Sequence, residues 1–110
     1  MSKNSEFFFN ALVSLLALVA TAIFWTQPVL LTIMLFVVGI VHIWIVRVEH
    51  VVLFYITVAI LGPLVEAFVM YFGAWSYAIP YVLGVPIWLP FLWGSAGLLI
   101  LGIVRMMNVT

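Results

Sequence analysis

The chain has 110 residues, of which 69% are apolar, and it carries only three Lys or Arg and three Asp or Glu side chains, so its formal net charge is zero. About a quarter of the residues of a soluble domain are charged, so this composition indicates an integral membrane protein. Zero net charge argues against nucleic acid as a partner. The absence of cysteine excludes disulfides and thiolate metal sites.

Four apolar segments are long enough to cross a bilayer as helices, which takes about 20 residues. The strands of a β-barrel would alternate polar and apolar positions, whereas these segments stay apolar at successive positions. The sequence therefore predicts an all-α, polytopic membrane protein in which residues 1–110 form one domain, an antiparallel bundle of four transmembrane helices. The predicted spans are Phe7–Trp25, Pro28–Val46, Val51–Phe72 and Leu83–Met107.

The positive charges predict how these spans are oriented. Lys3 precedes the first span, Arg47 lies in the second link and Arg105 lies near the end of the fourth span. In a four-span chain these three positions share one side, and the positive-inside bias makes that side cytoplasmic. We therefore expect a multi-pass protein of the plasma or inner cell membrane with both termini in the cytoplasm and the lipid bilayer as its surroundings.

Each span carries a stripe of small or polar residues at helical spacing. Helices in lipid associate through such residues, because the lipid tails are as apolar as leucine. The stripes predict a polar seam inside the bundle, and His42 is expected to be a packed, neutral histidine. Members of the stripes in the first two spans are Asn10, Ser14, Ala17, Thr21, Thr32, Gly39 and His42.

One carboxylate lies deep inside the third span. Glu66 has no Lys or Arg between it and Arg105. A carboxyl group in hydrocarbon costs several kcal/mol, so it indicates either a functional site or a hydrogen bond that fixes helix register. Because no cation is available at its depth, we expect hydroxyl and indole groups to be its partners. The candidates are Thr21, Thr32, Tyr77, Trp88 and Trp93.

Metal and cofactor sites are not predicted. The sequence contains no His-x-x-x-His or Glu-x-x-His spacing, and its two histidines lie away from Glu66. It also lacks a glycine-rich phosphate loop and a nucleophile elbow. We therefore expect no metal and no cofactor.

The stretch from the third to the fourth span combines Glu66, Gly73-Ala74-Trp75-Ser76-Tyr77, Gly84-Val85-Pro86-Ile87-Trp88 and Trp93. It resembles carotenoid-biosynthesis membrane proteins of the hydratase type, and also a group of small bacterial membrane proteins of unknown function. The resemblance implies that Glu66 faces an isoprenoid-like ligand lined by Trp75, Tyr77, Trp88 and Trp93. Hydration would need a proton donor, which a neutral carboxyl group can supply. The chain has no second acidic residue at this site to act as a base, so whether it is an enzyme stays open.

The leading functional prediction is a pocket in the outer half of the membrane that binds a small apolar or amphipathic molecule, lipid-like or isoprenoid-like. Its expected ligand-binding residues are Glu66, Trp75, Tyr77, Trp88, Trp93, Thr21 and Thr32. A first alternative is a proton-coupled transporter of lipophilic cations that uses Glu66, since the length and span count are similar to those of small multidrug transporters. A second alternative is an accessory subunit of a larger membrane complex. We expect the chain to assemble with itself or with other membrane subunits.

Overall fold

The computed structural model describes residues 2–107, and its regular secondary structure consists of four α-helices. They are α1 (Lys3–Phe24), α2 (Pro28–Ile45), α3 (Val51–Tyr71) and α4 (Leu89–Met107). Each helix is long and apolar enough to cross a membrane. The prediction of an all-α chain with four such helices is confirmed.

Local signals in the sequence explain where the helices begin. The Ser2 hydroxyl accepts a hydrogen bond from the backbone N–H of Ser5, and this cap starts α1 at Lys3, ahead of the predicted Phe7. Pro28 is the first residue of α2, where its missing N–H would have no helical partner anyway. α3 continues through Pro63, which cannot donate the usual bond to the preceding turn.

The fourth helix begins later than the predicted Leu83. The backbone N–H of Val85 donates to the carbonyl of Val82 at 3.0 Å, which closes a tight turn. Leu83 and Gly84 lie inside this turn with φ of 53° and 80°, values that a right-handed helix does not contain. α4 therefore starts at Leu89, and Trp88 precedes the helix. A prediction from hydropathy missed the turn because its residues are apolar.

α4 is the central helix of the bundle, since it packs against α1, α2 and α3. α1 also packs against α2, whereas α3 meets α2 at only a few positions. Within residues 2–107, no Cα atom of α1 lies within 8 Å of a Cα atom of α3, so these two helices do not pack directly against each other. The bundle measures 43 × 25 × 20 Å. We call the side of α4 that lies between α1 and α3, which do not pack against each other, the open side of the bundle.

Burial divides the side chains in the way expected for helices in lipid. Asn10, Ser14, His42 and Ser95 are buried, while large apolar side chains along all four helices are exposed. Such a surface is rare on a protein in water. It fits a bundle whose polar seam faces inward and whose apolar surface faces acyl chains.

Candidate functional site

Glu66 is held from two sides by hydrogen-bond donors of the protein. The phenol of Tyr77 donates to one carboxyl oxygen at 2.5 Å, and the indole Nε1–H of Trp93 donates to the other at 2.5 Å. Tyr77 lies in the link between α3 and α4, and Trp93 lies on α4. The predicted hydroxyl and indole partners are confirmed for these two residues.

A glycine one turn before Glu66 makes the contact with Trp93 possible. Gly62 and Glu66 are four residues apart on α3 and therefore lie on the same face of the helix. A Cβ atom on Gly62 would lie 2.2 Å from Cδ2 of Trp93, so the indole ring rests directly on the helix backbone. The absence of a side chain at residue 62 thus brings the indole nitrogen to the carboxyl group.

Tyr77 is held against Glu66 by the ring of Trp88. The two rings meet edge to face, with centroids 6.0 Å apart and an angle of 89° between planes. Burial raises the pKa of Tyr77 above its ordinary value of 10.0, and the hydrogen bond to Glu66 and the charge of Glu66 raise it further. Tyr77 therefore remains a neutral phenol, able to donate or to accept, at physiological pH.

The two partners restrict where a proton can reside on Glu66. An indole N–H can only donate, so the oxygen facing Trp93 must accept. A phenol can reverse its role, so a carboxyl proton can be shared with one of these two partners only when it lies on the oxygen facing Tyr77. The arrangement accommodates both protonation states of Glu66 without a change of partners.

Charged groups that could neutralise Glu66 lie at the opposite end of the bundle. Arg105 pairs with Glu6, and Glu49 lies 3.4 Å from His50. Among the described residues, Glu66 has no ion-pair partner. Within residues 2–107, no side chain therefore supplies a positive charge beside it.

The Glu66 carboxyl group borders a groove of about 290 Å³ on the open side of the bundle. One wall belongs to α1 and the other carries Glu66 and Trp93, while α4 forms the floor. The lining is almost wholly apolar, and no residue of α2 contributes to it. The lining residues are Ser14, Ala17, Leu18, Glu66, Tyr77, Leu89, Leu92, Trp93, Ser95, Ala96 and Leu99.

The other predicted site residues lie elsewhere. The hydroxyls of Thr21 and Thr32 donate to the carbonyls of Ala17 and Pro28 in their own helices, so neither reaches Glu66. Thr21 and Trp88 line a second cavity of about 280 Å³. Trp75 lines a third, of about 400 Å³.

Tyr77 lines all three cavities. It therefore separates the groove from the two outer cavities that Trp88 and Trp75 line. The predicted aromatic residues thus surround Tyr77, while only Tyr77 and Trp93 among them contact the carboxyl group in the described part of the chain.

A second buried polar pair lies away from the groove and was not anticipated. Nδ2 of Asn10 donates to the carbonyl of Leu99 at 3.3 Å, so its Oδ1 faces Nε2 of His42. His42 must then carry its proton on Nε2, which leaves Nδ1 as an acceptor without a partner among residues 2–107. Asn10 and His42 lie equally far along the sequence from Thr26, which is in the link between α1 and α2. Two residues placed in this way face each other when the helices form an antiparallel hairpin, so the sequence contained a signal for this contact.

Sequence reasoning also did not single out Ser95 as a site residue. Ser95 lines the groove, and its buried hydroxyl has no hydrogen-bond partner within the described residues. No group of three or more His, Cys, Asp or Glu in residues 2–107 could hold a metal ion.

The chain has no significant match among protein-family models, curated proteins or solved structures. Its function must therefore be argued from the groove and the residues around it.

Proposed function

We propose that the chain is an integral membrane protein that crosses the cell membrane four times and binds a small apolar or amphipathic molecule, lipid-like or isoprenoid-like, beside Glu66. Both termini would lie in the cytoplasm. The observation that carries this proposal is the position of Glu66. The carboxyl group borders an apolar groove between α1 and α3, and within residues 2–107 it is held by two neutral donors and no cation.

The surface of the helices supports the membrane location. Trp44 is 67% exposed near the end of α2, and Arg47 lies over its ring at 5.9 Å from the centroid. The Arg47 side chain also donates to the Trp44 carbonyl at 2.9 Å. A Trp–Arg pair at a helix end is typical of the boundary between bilayer and water. Arg47 and the Glu6–Arg105 pair line one charged cavity, which we place at the cytoplasmic boundary.

The size and lining of the groove support a single-chain ligand. Small-molecule sites usually have volumes of roughly 300–1,000 Å³, and the groove, at about 290 Å³, matches their lower end. Leu92, Ala96 and Leu99 on the floor offer contacts to an acyl or isoprenoid chain. Because α1 and α3 do not meet, such a molecule enters sideways from the bilayer without any helix moving.

The two alternative functions make different demands on the same site. A proton-coupled transporter of lipophilic cations needs Glu66 to exchange a proton for its cargo. An accessory subunit needs the open side to be covered by a second copy of the chain or by another membrane protein. In that case the groove is an interface, and no small molecule occupies it.

A photoreactive lipid tests the proposal directly. An alkyl diazirine with a hydroxyl head group is added to the protein in lipid nanodiscs, and the labelled peptides are identified by mass spectrometry. We expect labelling on α4 at the groove and loss of most of it in Ala96→Trp, which fills the floor. Ile100→Trp is the matched control, because Ile100 lies on the same helix and is 61% exposed. Equal labelling in both variants contradicts the proposal.

Two further measurements distinguish the alternatives. Loss of pH-driven flux of a lipophilic cation in Glu66→Gln liposomes, with folding intact, favours the transporter. A purified chain that is unstable alone, with neither flux nor labelling, favours the accessory subunit. Mass spectrometry of molecules that co-purify in mild detergent would identify the natural ligand.

A further inference from the structure

One buried hydroxyl in the groove lacks a hydrogen bond. The side chain of Ser95 is 1% exposed, and its Oγ has no partner among residues 2–107. Leaving a buried donor unpaired costs about 1–3 kcal/mol, so such groups are rare and usually have a partner that is not part of the chain. The mainly apolar lining offers few polar groups to hold a water molecule there.

The hydroxyl groups of other helical residues show what Ser95 would ordinarily do. Ser14, Thr21 and Thr32 each donate to the carbonyl four residues earlier, at distances of 2.7 to 2.8 Å. For Ser95 the equivalent acceptor is the carbonyl of Phe91. That carbonyl accepts a hydrogen bond from the phenol of Tyr55 at 3.3 Å.

Two glycines allow Tyr55 to occupy that position. A Cβ atom on Gly39 would lie 2.6 Å from the Tyr55 hydroxyl oxygen, and one on Gly94 would lie 2.4 Å from the ring. The ring of Tyr55 therefore fits into a slot between α2 and α4 that only glycine backbones leave open. Tyr55 thus occupies the acceptor of Ser95, and the buried Ser95 hydroxyl is left without a partner on a residue that lines the groove.

We infer that the groove takes an uncharged amphiphile whose head group has an oxygen acceptor for Ser95 and a hydroxyl donor for Glu66. This inference rests on the proposed function and names its ligand class. Ser95 and Trp93 both line the groove two positions apart on α4, and the indole of Trp93 marks the side where Glu66 lies. A small polar head between the two walls meets both groups, while its chain covers Leu92 and Leu99.

Charged head groups satisfy only part of this pattern. An ammonium group has donors and no acceptor, so it can pair with Glu66 but leaves Ser95 unpaired. A carboxylate or phosphate head has acceptors for Ser95 but, when fully ionised, no hydrogen to donate to the Glu66 carboxyl oxygens. A fatty alcohol or a monoacylglycerol has both a donor and an acceptor and carries no charge.

The test compares two probes of equal chain length, 1-lauroylglycerol and dodecylamine, as competitors of the photoreactive lipid in nanodiscs. Ser95→Ala should weaken binding of 1-lauroylglycerol about threefold to tenfold, the effect of one hydrogen bond. It should leave dodecylamine binding unchanged. Ser14→Ala is the matched control, because Ser14 also lines the groove but its hydroxyl already donates to the Asn10 carbonyl.

Stability of the empty protein gives an independent measurement. Ser95→Ala removes an unpaired donor, so the empty variant should be at least as stable as the wild type. A purely structural Ser95 would instead lose stability and both probes together.

The outcomes separate the two proposals. The proposed ligand class is wrong if Ser95→Ala and Ser14→Ala lose equal affinity for 1-lauroylglycerol, or if the wild type binds dodecylamine but not 1-lauroylglycerol. Either result leaves the groove proposal standing. If neither probe competes and Ala96→Trp also has no effect on labelling, the proposed function itself fails and the ligand class fails with it.

Discussion

Replacing Gly62 with alanine should detach Trp93 from Glu66. The new Cβ would lie 2.2 Å from Cδ2 and 2.4 Å from Cγ of the indole. Carbon atoms pack at about 3.5–4.0 Å, so the ring must retreat by more than an ångström, and its 2.5 Å hydrogen bond to Glu66 is lost. Overpacking costs about 1–3 kcal/mol and the lost bond about 0.5–3 kcal/mol. Helix propensity favours alanine over glycine by about 1 kcal/mol, so the net destabilisation lies between about 0.5 and 5 kcal/mol, and we expect about 3 kcal/mol from the middle of these ranges.

The assay is a double-mutant cycle with Trp93→Ala, followed by reversible unfolding in mixed micelles. In the Trp93→Ala background no side-chain atom beyond Cβ has to be displaced, so Gly62→Ala should be neutral or stabilising by up to about 1 kcal/mol. The same substitution therefore changes sign between the two backgrounds. An equal effect of Gly62→Ala in both would refute the argument that Gly62 acts by seating Trp93.

Two further predictions concern buried polar groups. Burial, the hydrogen bond to Glu66 and the charge of Glu66 all raise the pKa of Tyr77. The contribution of Tyr77 to the free energy of unfolding is therefore fully present below the ordinary pKa of 10.0 and is lost as pH rises above that value. Unfolding free energies measured on either side of pH 10 should fall less steeply for Tyr77→Phe than for the wild type, and equal slopes would count against this. Asn10→Leu should cost about 1–3 kcal/mol, because it leaves Nε2–H of His42 unpaired. Asn10→Leu combined with His42→Leu should recover part of that loss, and strictly additive effects would show that the two side chains are not coupled.

The sequence was sufficient for the number and type of elements. Four long segments that stay apolar at successive positions indicate helices in a bilayer, because a helix pairs its backbone groups within the segment and the strands of a barrel would alternate. It failed at the start of α4, where Leu83 and Gly84 are as apolar as the helix that follows. Composition indicates whether a segment is suited to lipid or to water. The position of a turn depends instead on backbone dihedral angles, which hydropathy does not describe.

The sequence also identified Glu66, because an ionisable group in an apolar span stands out by its cost alone. It proposed Tyr77 and Trp93 as partners, together with three residues that do not reach the carboxyl group. Periodicity predicts which face of a helix is polar, but not how the helices are ordered or rotated against one another. Thr21 and Thr32 found acceptors in their own helices, which a sequence cannot distinguish from a bond across the bundle.

The open side of the bundle and the free hydroxyl of Ser95 were decided by tertiary structure alone. Both depend on contacts between helices: α4 packs between α1 and α3, and Tyr55 reaches from α3 past two glycines to the Phe91 carbonyl. The sequence by itself determined that the chain is suited to lipid and that one acid must be accommodated there. Which groups surround that acid, and which hydroxyl is left unpaired among the described residues, follow from packing distances that arise only when four helices meet.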